Sequence, residues 1–116
     1  SSTINASYKR IEAIVDQVSH DSGSSQIFRM ALSGDNGSSY STATIHSAAA
    51  ASATLDGRIT VDYCDVASNN REWCVNIDDE TIVGANNVTT GAINNIQFSF
   101  AAGNFDGGTI TLIGHN

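Results

Sequence analysis

The chain has 116 residues, twelve acidic side chains against five basic ones, and a formal net charge of -7. That length suits one domain, no apolar run approaches the roughly 20 residues of a membrane helix, and residues 1–20 lack the layout of a signal peptide. So few cations leave no basic patch to neutralise phosphates, which argues against nucleic acid as a partner and against an anionic lipid surface.

Only 15% of the residues are charged, and Ser, Thr, Asn, Ala and Gly abound. A hydroxyl- and amide-rich surface of this kind is common in extracellular and viral β-proteins. A domain of this size buries about two-thirds of the surface its unfolded chain exposes, enough for a core without metals or disulfides. Ser1-Ser2-Thr3 reads as a cut point, so residues 1–116 are expected to form one domain at the C-terminal end of a longer chain.

Side chains of a strand alternate between two faces, and period two runs through most of this sequence. Tyr8 to Val18 puts Ile11, Ala13 and Val15 on one face and Glu12, Ile14, Asp16 and Val18 on the other. A polar loop, 19–25, follows. Gln26 to Ser33 is the next strand, with Phe28, Met30 and Leu32 inward and Arg29 outward. Gly34-Asp35-Asn36-Gly37 is turn chemistry. Tyr40 to His46 reads as a strand. The Ala48–Ala51 run after it favours a helix by propensity, yet has no stripe of large apolar residues, so a short helix and a closely packed strand both remain open.

Asp56-Gly57 reads as a turn. From Arg58 to Val66, Ile59, Val61 and Tyr63 share a face opposite Thr60, Asp62 and Cys64. Asn69-Asn70 would turn the chain, and Trp73, Val75 and Ile77 mirror the first run, giving the clearest hairpin. Cys64 and Cys74 lie symmetrically about that turn, so a disulfide is geometrically possible. They offer no zinc-site spacing. Asp78-Asp79-Glu80 reads as a turn, Thr81 to Val83 as a short strand, and Gly84-Ala85-Asn86-Asn87 as another turn. Ile96, Phe98 and Phe100 alternate, Gly103-Asn104-Phe105-Asp106-Gly107-Gly108 is a loop of residues that tolerate positive φ, and Ile110 and Leu112 resume the alternation. About eight short strands with turns at regular spacing, and no proline, predict an all-β antiparallel sandwich of jelly-roll type.

The ending, an aromatic alternating run followed by Gly103-Asn104-Phe105-Asp106-Gly107-Gly108-Thr109-Ile110 and a short apolar strand, resembles the C-terminal domains of tailed-bacteriophage tail fibres and tail spikes. The opening run Tyr8-Lys9-Arg10-Ile11-Glu12 ahead of a long alternating strand fits the same picture. The resemblance is a motif at one end plus a strand rhythm, and it points to no catalytic residue. It implies a homotrimer on the virion tail, outside the cell, touching host polysaccharide or lipopolysaccharide. It also implies assembly in the host cytoplasm and therefore free thiols at Cys64 and Cys74. An outward apolar set such as Ile14 and Val18 would then meet a partner chain. The alternative is a carbohydrate-binding module of a secreted bacterial enzyme, which would carry a Cys64–Cys74 disulfide and an exposed Trp73.

Candidate binding residues follow from side-chain chemistry. Trp73, Tyr40 and Tyr63 could present an aromatic face to the C–H face of a sugar, although Trp73 shares its strand face with Val75 and Ile77 and reads more simply as core. Asn69, Asn70 and Arg71 at a hairpin tip could supply donors to sugar hydroxyls. Asp78, Asp79 and Glu80 could begin a calcium site, but their spacing is not that of a calcium loop and a solvated tip is the plainer reading, so no cofactor is expected. Ser19-His20-Asp21 holds the three residue types of a catalytic triad, but neighbours in one loop rarely converge and no nucleophile elbow is present. The chain is expected not to be an enzyme.

Overall fold

The computed structural model describes residues 2–3, 7–51, 53–65, 68–88 and 91–116, with the backbone alone at 2–3, 48, 68–71 and 86–88. The described strands are β1 (Ser2–Thr3), β2 (Arg10–His20), β3 (Gln26–Ser33), β4 (Ser41–Ala49), β5 (Leu55–Asp62), β6 (Ser68–Ile77), β7 (Glu80–Val88), β8 (Asn95–Phe100) and β9 (Phe105–His115). They form two antiparallel sheets, β1-β8-β3-β4 and β7-β6-β5-β2-β9. Among the described residues there is no helix, hence none long and apolar enough to cross a membrane. The β-sandwich expected from the strand rhythm is present. Its connections are a β3–β4 hairpin, a β5–β6–β7 meander, and crossings between sheets at β1–β2, β2–β3, β4–β5, β7–β8 and β8–β9.

The core lies between the sheets. Phe28, Met30, Leu32, Ile45 and Ile96 come from the four-stranded sheet, and Ile11, Val15, Ile59, Val75 and Ile77 from the five-stranded one. Each set obeys period two, so one face of each sheet is apolar and its burial supplies the main driving force for folding. At one edge of the core, Phe28, Phe100 and Phe105 pack together with ring centroids 4.9 to 6.2 Å apart, joining β3 and β8 of one sheet to β9 of the other.

Several local expectations are overturned, each for a physical reason. Val18 does not share the outward face of Ile14. A bulge interrupts β2 between Val15 and Val18, with Gln17 at φ 55, and re-phases the strand so that Val18 and His20 point into the core. Asp56 holds the bulge by accepting the backbone N–H of Gln17 (2.9 Å) and its side-chain amide (2.7 Å). Asp56-Gly57 is therefore not a turn but part of β5. Asn69-Asn70 lies within β6, and Gly84 to Asn87 within β7. Glycine at 84 gives the neighbouring indole room: a Cβ there would stand 2.6 Å from Trp73 Cζ2. The Ala run enters no helix, since β4 continues to Ala49.

The last two strands do not pair with each other. The chain turns over Ala101 to Asn104, and β9 begins already at Phe105, so the glycine pair lies inside the strand. β8 pairs with β1 and β3, whereas β9 pairs with β2 in the opposite sheet.

Candidate functional site

Polar side chains gather at one end of the sandwich. Arg10 opens β2 and pairs in register with Asp62, the last residue of β5, and with His115, the last of β9. Three strand ends thus meet at one level. Arg10 Nε donates to Asp62 Oδ1 at 2.9 Å, and both side chains are about half exposed. One step inward, Glu12 lies 3.0 Å from Arg58 Nε and 3.6 Å from His115 Nε2.

Beyond Asp62 the backbone takes a positive φ of 59° at Tyr63. This region is costly for a bulky side chain, so the surrounding structure must enforce it. Three contacts do so. The Cys64 N–H donates to the Lys9 carbonyl (2.9 Å), the Ile93 N–H donates to the Cys64 carbonyl (2.8 Å), and the Cys64 thiol donates to the Val61 carbonyl (3.2 Å). Cys64 is thereby buried and Tyr63 is swung out, 56% exposed. Sequence alternation had placed them the other way round. The exposed ring borders an open hollow of about 630 Å³ that Lys9, Arg10, Asp62, Asp65 and His115 also line.

The loop carrying Tyr40 is stitched to the same end, because the Asn94 N–H donates to the Ser33 carbonyl (2.9 Å) and Asn94 Oδ1 accepts the Asn36 N–H (3.1 Å). Tyr40 is half-buried over the Gly37 turn. The loop is organised by Asp35, whose carboxylate accepts from Ser39 Oγ (2.5 Å), the Ser39 N–H (2.9 Å) and Ser33 Oγ (2.8 Å). Ser39's side chain, then its backbone, then Ser33 hold the Asp35 carboxyl below its ordinary value of 3.8. A lowered folded-state value means that ionised Asp35 favours the ordered loop above pH 3.8, and that this contribution fades as pH falls through the lower folded value. The Ser39 amide should accordingly lose its protection from hydrogen exchange in acid, and Asp35→Asn should show no such step.

The remaining candidates are placed elsewhere. Trp73 is only 8% exposed and belongs to the same buried core as Val75 and Ile77, so little of the indole is open to a ligand. The side chains of Asn69, Asn70 and Arg71 lie outside the described residues. No disulfide joins Cys64 and Cys74: Cys74 stands opposite Thr60 on the outer face, and Cys64 is inside. Asp78 and Asp79, at φ 49 and 66, form a two-residue hairpin turn of the type with two positive φ values. Asp78 Oδ1 accepts the Asp56 N–H (3.1 Å), while Glu80 begins β7 with a carboxylate oxygen 3.9 Å from His46 Nδ1. Among the described residues, no three His, Cys, Asp or Glu side chains gather to hold a metal ion. Ser19, His20 and Asp21 do not converge. Ser19 bonds Asp106, His20 is buried with its ring on the Ala49 carbonyl and the Ser22 N–H, and Asp21 accepts the Asn104 N–H.

No family model, curated protein or solved structure matches this chain. Function is therefore argued from the geometry at Tyr63. What the sequence did not reveal there is the company that tyrosine keeps. Arg10, Asp62 and His115 come from three strands, with Lys9 just ahead of β2, and only the β5-β2-β9 pairing brings them together.

Proposed function

We propose that the chain is the C-terminal domain of a phage tail fibre or tail spike, that it works as a trimer, and that it binds a host-surface polysaccharide or lipopolysaccharide without acting on it. The observation that carries the reading is the exposed Tyr63 ring, held out at positive φ beside the paired Arg10 and Asp62. An aromatic face flanked by fixed donors and acceptors is the chemistry a sugar ring needs, with C–H groups on the ring and hydroxyls on the polar pair.

Trimerisation is supported by the edges. β9 is an 11-residue edge strand without proline, Lys or Arg, and Phe105 and Ile113 on it are 43% and 39% exposed. A long edge of this kind can accept a further chain. The alternative, a module of a secreted bacterial enzyme, expected a Cys64–Cys74 disulfide and an exposed Trp73, and neither is present.

An array of bacterial surface glycans tests the reading. The wild-type chain should bind, and Tyr63→Ala should lose about tenfold or more in affinity, the equivalent of about 1.4 kcal/mol. Equal binding by both proteins would contradict it.

A further inference from the structure

Resting on that reading, we infer that the Arg10–Asp62 pair recognises two adjacent hydroxyls of an uncharged sugar ring, and that the site discriminates against acidic saccharides. Nε of Arg10 is engaged by Asp62 Oδ1 at 2.9 Å. The terminal guanidinium nitrogens can donate to one hydroxyl oxygen, while Asp62 Oδ2 accepts the proton of the next. The two side chains are set opposite each other by the backbone, because Arg10 and Asp62 are register partners in β2 and β5. Exposed ion pairs add little stability, so the pair is available for recognition rather than required for folding.

Electrostatics sets the class of sugar. Lys9 and Arg10 in the hollow are balanced by Asp62 and Asp65, and the nearby His115 already faces Glu12. No surplus cation is left for a carboxylate on the ligand. The chain as a whole carries a formal charge of -7, so a polyanionic glycan would approach against its field. A neutral ring with adjacent hydroxyls meets no such penalty.

The test uses neutral bacterial polysaccharides and, beside them, uronic-acid polysaccharides with their carboxyl-reduced counterparts, titrated calorimetrically against wild type, Asp62→Asn and Tyr63→Ala. Wild type should bind a neutral glycan and prefer each carboxyl-reduced polymer to its acidic parent by tenfold or more. Asp62→Asn keeps the shape and should melt with wild type, yet lose tenfold or more in affinity. A preference for the acidic parents, or an Asp62→Asn protein that binds as wild type, overturns the inference and leaves glycan binding standing. Failure to bind any saccharide overturns the functional reading itself, and the inference with it.

Discussion

Replacing Gly57 by alanine should cost about 3 kcal/mol or more, although it adds a single methyl group. Gly57 lies in β5 between Val15 of β2 and Ile77 of β6. A Cβ there would overlap the Asn76 carbonyl oxygen and stand 2.8 Å from the Ile77 Cα. Both obstacles are backbone, so no side chain can swing away, and relief would require parting β5 from β6. With the whole fold worth about 5 to 15 kcal/mol, Gly57→Ala should shift the urea midpoint sharply downward. Gly23 is the control. Nothing lies within 4 Å of a Cβ added there, and Gly23→Ala should stay within about 0.5 kcal/mol of wild type. Equal midpoints for the two variants would show that β5 and β6 do not approach as closely as described.

Phe28→Ala should be the most damaging of the large-to-small changes, at about 3 to 5 kcal/mol. Phe28 is fully buried, and its ring centroid lies 4.9 Å from that of Phe100, 6.0 Å from Phe98 and 6.2 Å from Phe105. Its removal leaves a cavity bordered by both sheets, and close-packed surroundings collapse only partly into such a space. Phe105 belongs to the same aromatic group but is 43% exposed. Phe105→Ala should cost clearly less, since less of its surface leaves water on folding. Equilibrium unfolding of the two variants checks the order, and a smaller loss for Phe28→Ala than for Phe105→Ala would contradict the placement of the core.

These two positions also show what was legible in the sequence. Phe28, Met30 and Leu32 alternate without interruption, and β3 spans Gln26–Ser33 as the pattern predicts. Trp73, Val75 and Ile77 likewise face inward together. Gly57 is not legible in the sequence, because Asp-Gly looks the same in a turn and in a strand whose neighbour presses close, and only the partner strand decides between them. Val18 was misplaced because a one-residue bulge reverses every later side chain, and nothing in Asp16-Gln17-Val18 announces it. The chemistry of Tyr63 marks it as a candidate, but alternation puts it on the wrong face, since the positive φ that turns it outward is imposed by Lys9, Val61 and Ile93. Arg10 and Asp62 are 52 residues apart, so no local pattern could join them.

The measurement that bears most directly on this account is amide chemical-shift mapping of the isotope-labelled chain during titration with a glycan taken from the array. Shifts should concentrate at Lys9, Arg10, Asp62, Tyr63 and His115, and in Tyr63→Ala the shifts at the other four should need about tenfold more glycan or more to develop. Shifts centred instead on β7 around Val83, or at the Asp78-Asp79 turn, would place binding elsewhere and contradict the assignment of the site to the Tyr63 end of the sandwich.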